Sequence, residues 1–321
     1  MKSLLKGLTF LILLVVLLEI IMFIMIPNKS NFSKYGMWKK SEYEILGEKK
    51  DTIDIVFLGD SLIYSSISPM LLWNDYGYTS FDCAGPGQVI KDSYKYLKVA
   101  IDSQHPKLVI MEADVIFRDA NSKFYKKTKN EQLKNYLPIE KFHNNWKKIV
   151  TLESYDTKWI NYYKGYKYIT KVLPVKKYNN YMKQTNKERK IPEGNLDYLD
   201  KIIKLCDEND IEFKLVSIPS RGSWNYSKHV TIEKIAKEKN IEFTDLNLED
   251  SINLDWRRDT KDSGRHTNYR GAKKITKFIG NYIHELDIVE DHRNDKKYDE
   301  WNIAYKKYIK AHAKYEAIAI Q

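Results

Sequence analysis

Apolar residues run almost unbroken from Leu8 to Ile26, interrupted only by Thr9 and Glu19. At 1.5 Å of rise per residue, a helix of that length crosses a hydrocarbon core. Lys2 and Lys6 precede the run, and Pro27-Asn28-Lys29-Ser30 follows it without the small-x-small pattern of a cleavage site. The pattern predicts an uncleaved signal anchor over residues 1–28. Lys29, Lys34, Lys39 and Lys40 lie beyond it, so local charge does not set the orientation. A long domain after an N-terminal span is usually exported, and the bulk of the chain is expected outside the cytoplasm. Glu19 is costly in lipid; it reads equally as a contact for a membrane partner and as a tolerated single carboxyl.

Beyond a polar, Lys-rich stretch at 29–50, expected as a juxtamembrane stalk, the period changes. Ile53 to Leu58 is a short apolar, mostly β-branched run stopped by Gly59, as a buried strand reads. Further strand candidates fall at Thr79–Cys83, Leu108–Met111, Ile211–Ile218 and Ile241–Thr244. Helical periodicity lies between and after them, at about 88–103, 197–209, 230–239 and 270–286. Strands alternating with helices imply a parallel sheet covered on both faces. The expected fold is α/β, a three-layer sandwich over residues 51–286.

Residues 118–195 interrupt the alternation and are rich in Lys and Tyr. They are expected as a helical insertion, with tyrosines such as Tyr162, Tyr163, Tyr166 and Tyr168 either stacking on sugar rings or packing against the sheet. After Asp287, Tyr298, Trp301, Tyr305 and Tyr308 recur at steps of three and four, which makes an aromatic stripe on a helical tail over 287–321. Docking onto the main domain is its default use.

The chain has 321 residues with 43% apolar and 30% charged, which excludes both wholesale disorder and a polytopic membrane protein. Its net charge of +11 comes with abundant Lys, Ile, Asn and Tyr, and no Arg-rich stripe or nucleic-acid motif accompanies it. Nucleic acid is therefore not an expected partner. The histidines are scattered without His-x-x-x-His or Cys-x-x-Cys spacing, and no phosphate-binding glycine loop occurs, so no metal or cofactor is expected. Cys83 and Cys206 could form one bridge, which spacing alone does not imply.

Chemistry concentrates at two places. Gly59-Asp60-Ser61-Leu62 closes the first strand, and carboxyl ends of parallel strands form the ligand crevice. A serine there, between strand and helix, can act as a nucleophile with its own N–H facing an oxyanion, although Asp60 or Ser61 could equally be a helix cap. Near the other end, Asp262-Ser263-Gly264-Arg265-His266 leads into the last helix of the α/β pattern. Alone, His266 reads as a surface loop residue. Together with Ser61 it reads as a general base whose tautomer an acidic neighbour fixes.

Over residues 51–286 the chain resembles the SGNH (GDSL-type) hydrolase superfamily. The resemblance implies a flavodoxin-like sheet, Ser61 as nucleophile and oxyanion donor, and His266 as base. It also implies a glycine N–H at the oxyanion from Phe81-Asp82-Cys83-Ala84-Gly85-Pro86-Gly87-Gln88, where Gly87 is preferred over Gly85. The family's aspartate lies three positions before the histidine, where this chain has Ser263. Asp262, four before, is the expected orienter, with Asp259 in reserve. The family's asparagine after the third strand is missing from Met111-Glu112-Ala113-Asp114, and none follows until Asn121, which implies a thinner oxyanion hole.

Within the superfamily, the anchor, the long insertion and the tail from Asp291 resemble the alginate and cell-wall O-acetylation proteins. That likeness implies a membrane-anchored serine O-acyltransferase, extracytoplasmic, acetylating a polysaccharide beside a multi-pass membrane-bound O-acyltransferase partner. The alternatives are an esterase that removes acetyl groups and a non-catalytic polymer-binding scaffold.

Overall fold

The computed structural model describes residues 2–25, 41–123, 125–127, 162–177 and 179–319. The chain divides into two compact units, Met1–Lys39 with Lys126–Trp159, and Lys40–Tyr125 with Ile160–Gln321. In the first, helix α1 (Lys2–Met25) exposes apolar side chains throughout Leu8–Leu18 except at Thr9. Among the described residues no helix is long and apolar enough to cross a membrane, the side chains of α1 being described over Leu5–Leu18 and at Ile20.

The second unit is built on five strands: β1 (Ile55–Gly59), β2 (Ser80–Ala84), β3 (Leu108–Glu112), β4 (Glu212–Ser217) and β5 (Glu242–Asp245). Their order is β2-β1-β3-β4-β5 and every pairing is parallel. This is the doubly wound, flavodoxin-like order, whose topological switch lies between β1 and β3. The first three strands are buried along their whole length, as near-continuous apolar runs between two helical layers should be.

Helices α2 (Ser61–Ser66) and α3 (Pro69–Tyr76) follow β1. Helix α4 (Ile90–Gln104) joins β2 to β3, and α5 (Asn195–Asp207) leads into β4. Helix α6 (Tyr226–Glu238) joins β4 to β5, and α7 (Tyr269–Leu286) follows β5. Ile275, Ile279 and Ile283 of α7 pack with Ile55, Phe57, Leu62, Ile63 and Leu72 in one core. Helices α4 and α5 touch each other, α4 packing on β1 and β2 and α5 on β4. Three layers result, as the alternation predicts.

Two segments differ from expectation. In the region read as a stalk, Ser41–Gly47 forms a 3-10 helix whose Ile45 and Leu46 are buried; Glu48 beyond it is paired with Lys164. Of the insertion read as helical, residues 123 and 125–127 are helical, while 162–177 and 179–194 are turns and irregular chain; residues 124, 128–161 and 178 lie outside the described residues. The physical reason is visible in its backbone bonds, which run sideways to neighbours instead of along a helix. Asp82 N–H donates to Lys164 O (2.9 Å), Lys167 N–H to Tyr64 O (2.7 Å), Tyr269 N–H to Ile169 O (2.7 Å) and Leu173 N–H to Thr260 O (3.0 Å). This strap ties β2, α2, the start of α7 and the loop before it to one another.

Its tyrosines pack. Tyr168 lies 4.4 Å from Tyr269 and is stacked on His312, while Tyr163 meets Tyr308 edge-on. Residues 159–161, which precede Tyr162 in the insertion, lie outside the described residues. The tail forms α8 (Asp299–Ala319), whose Trp301, Ala304, Tyr308 and His312 are buried, with Trp301 5.4 Å from Trp73 of α3. Tyr298 belongs to the 3-10 turn before α8, and Tyr305 stands aside from the buried stripe.

Candidate active site

Gly59 and Ala84 are opposite each other on β1 and β2, so the segments that follow, Asp60-Ser61 and Gly85–Gly87, leave the sheet at one edge. Gly59 has no room for a side chain: a Cβ would stand 2.4 Å from Ile63 Cγ1 and 2.9 Å from Glu112 Cβ. Asp60 is the cap of α2, its Oδ1 accepting the Leu62 N–H at 2.8 Å. Ser61, the first residue of that helix, is left to point its hydroxyl outward.

That hydroxyl lies 2.7 Å from His266 Nε2. On the far side of the ring, Nδ1 is 2.6 Å from Asp262 Oδ2, and the His266 backbone N–H donates to Asp262 Oδ1 at 2.7 Å. A carboxylate accepting from Nδ1–H leaves Nε2 with its lone pair facing Ser61, so the serine donates. Burial raises the Asp262 pKa, but the bonds from the His266 ring and backbone outweigh it and hold the carboxyl below its ordinary value. Residues 205 positions apart thus form a serine–histidine–aspartate relay.

The spacing of four between Asp262 and His266 is absorbed by two left-handed residues, Ser263 (φ +61°) and Gly264 (φ +92°). Thr260 closes the loop, its hydroxyl accepting the Gly264 N–H at 2.7 Å and donating to His266 O at 3.0 Å. Asp259, the reserve candidate, is elsewhere engaged: it is buried, pairs with Lys274 at 2.7 Å and accepts the Asp255 N–H. It is not brought to the histidine.

Gly87 adopts φ +63°, a conformation that favours glycine, in the turn where Gln88 N–H donates to Gly85 O. After β3, the expected asparagine position is replaced by a charge cluster. Glu112 Oε2 accepts the Asp114 N–H at 2.7 Å, and Asp114 pairs with Arg118 and Lys228. Arg118 reaches on to Asp60. Burial works against the Arg118 charge, yet Asp60, Asp114 and Glu112 outweigh it and raise its pKa. Burial, then the charges of Asp114 and Asp60, push Glu112 well above the usual carboxylate range. Asn121 is exposed and its N–H turns back to Asp119.

Sequence reasoning passed over Arg118, Tyr64, Thr260 and the two lysines beside Tyr64. Arg118 sits four residues after Asp114, a spacing that pairs on a helical turn and could have been noticed. Tyr64 carries no motif. Burial and the Asp60 charge push its phenol up to about 12, against the opposing influence of Ser61 and the Arg118 charge. Cys83 and Cys206 are both buried and form no disulfide. Among the described residues no cluster of metal-ligating side chains occurs.

No family model matches the chain, and no curated protein matches it. Among solved structures it is similar to a psychrotrophic esterase from Pseudoalteromonas sp., with 13% identity, 72% of this chain and 97% of that one covered, and a TM-score of 0.41. It is similar also to a GDSL-like lipase from Bacteroides thetaiotaomicron (12% identity, 78% and 98% covered, TM-score 0.39). A lipase/acylhydrolase from Enterococcus faecalis is a third (14% identity, 73% and 96% covered, TM-score 0.34).

Proposed function

We propose that the chain is a serine acyl-transfer enzyme of the SGNH type, working through an acyl-Ser61 intermediate. The observation that carries this is the unbroken relay Ser61–His266–Asp262, at 2.7 and 2.6 Å, set at the carboxyl end of β1. Ser61 Oγ attacks an ester carbonyl while its proton passes to His266 Nε2. The tetrahedral oxyanion is held by the N–H groups of Ser61 and Gly87, His266 returns the proton to the leaving alcohol, and acyl-Ser61 remains. A second hydroxyl then gives its proton to His266, takes the acyl group and restores Ser61. Asp262 orients the ring throughout and stabilises the imidazolium.

When the second hydroxyl belongs to a sugar, the enzyme is an O-acyltransferase; when it is water, an esterase. Our reading is that α1 anchors the enzyme to the membrane, that its α/β unit works outside the cytoplasm, and that it acetylates a polysaccharide beside a multi-pass O-acyltransferase. The anchor rests on the apolar run Leu8–Ile26 of the sequence. Two measurements test the reading. A fluorophosphonate probe should add to Ser61 and not to the Ser61→Ala variant, as read by peptide mass. Incubation with an activated acetyl ester and oligosaccharides should yield acetylated sugar in a Ser61-dependent way. Absence of the adduct overturns the enzyme; acetate release beside untouched sugars turns the reading to the esterase.

A further inference from the structure

Two lysines that the relay does not use are fastened beside it. The Lys167 backbone N–H donates to Tyr64 O at 2.7 Å, and the Lys261 backbone N–H donates to His266 O at 3.1 Å. One is therefore fixed to the residue a helical turn beyond the nucleophile, the other to the base itself. Their ammonium groups both lie near a single ring, 6.0 Å (Lys167) and 5.9 Å (Lys261) from the centroid of Tyr64. Neither makes an ion pair among the described residues; the opposite charge that acts on Lys261 is Asp262, which is already committed to His266. The charge of Lys167 acts on Lys261, and two such charges, without a carboxylate of their own and beside a nucleophile, are favoured by an anion that reaches both.

We propose that Lys167 and Lys261 over Tyr64 form an anion subsite, and that the substrate carries a carboxylate or phosphate close to the ester that Ser61 attacks. This rests on the acyl-Ser61 reading and adds the substrate class to it. The ring of Tyr64 supplies a floor on which an acidic sugar or similar alcohol can lie, with its anion facing the ammonium groups and its ester facing Ser61.

The test uses the full chain with mono-acetylated glucose, glucuronate and glucose 6-phosphate as matched neutral, carboxylate and phosphate probes. Wild type should show kcat/KM about tenfold higher for an anionic probe than for the neutral one. That ratio should shrink as salt is added and approach one in the Lys167→Met/Lys261→Met double variant. Lys261→Arg should keep it, since charge and not ammonium shape is what the subsite requires. Whichever anion gives the larger ratio identifies the carboxylate or the phosphate as the natural group. Equal use of all three probes by wild type, with Ser61 labelled by the fluorophosphonate, overturns the subsite and leaves the enzyme standing. If Ser61 is not labelled, the enzyme reading fails, and calorimetric binding of glucuronate and glucose 6-phosphate against glucose decides the subsite. Tighter binding of an anion, lost in the double variant, upholds it; equal binding ends it.

Discussion

Asp262 touches His266 twice, through ring and backbone, so its replacement separates orientation from presence. Asp262→Asn keeps an acceptor for the backbone N–H but presents the ring with a group that can favour the wrong tautomer. A fall in kcat of roughly a thousandfold or more is expected, with little change in thermal midpoint; steady-state kinetics on an activated ester and a melt check both halves. Glu112 gives a pH prediction. Its folded pKa is raised, so its contribution to stability is fully present below the unfolded value, 4.5, and is lost as pH rises through the folded one. Glu112→Gln does not titrate, and its stability relative to wild type should improve from pH 5 to pH 8, read as urea midpoints. Lys261 has the opposite cost: burial lowers its pKa, and the charge of Lys167 adds to this against the pull of Asp262. That penalty acts in full below the folded pKa, fades as pH rises from it, and is gone above the unfolded value, 10.5. The lysine is thus retained at a cost in stability, as functional groups often are. At this scale the sequence disclosed the relay because Ser61, Asp262 and His266 sit in recognisable local strings. It withheld Tyr64, Arg118, Lys167 and Lys261, whose meaning comes only from what the fold places beside them.

Elements read from the sequence where one physical cause dominated. β1 and β3 are buried along their whole length and their apolar runs carry that signature without help, whereas β2 buries Ser80 and Asp82 as well. Helix α7 shows its period because Ile275, Ile279 and Ile283 face one core, and Asn268 marks its start by accepting the Arg270 and Gly271 N–H groups. The short α2 and α3 are closed by local devices, the Asp60 cap and the left-handed Gly77, which leave no periodic pattern. The strap at 162–177 could not be read as irregular, since its hydrogen bonds end on residues far away in the chain. Gly59 ties element to site: in Gly59→Ala the new methyl meets Ile63 and Glu112, and overpacking of about 1–3 kcal/mol is expected by chemical denaturation, with Ser61 displaced as α2 shifts.

Across the whole α/β unit, the tail is part of the core rather than an appendage. Trp301 is buried against Trp73, so Trp301→Ala should cost about 3–5 kcal/mol in denaturant titration. An unchanged midpoint would mean that α8 is not docked in solution. Of the aromatic stripe the sequence showed, Tyr298, Trp301 and Tyr308 are buried and Tyr305 is not, while Ala304 and His312 join the buried face. The separation of Ser61 from His266 along the chain has a consequence in time. While the protein is being synthesised, the serine emerges more than two hundred residues before its base. A nascent or truncated chain lacking the loop at 259–268 holds an ordinary alcohol, inert toward every ester it meets in transit. Reactivity arrives with the last third of the polypeptide, so each molecule is chemically silent until nearly all of it has been made.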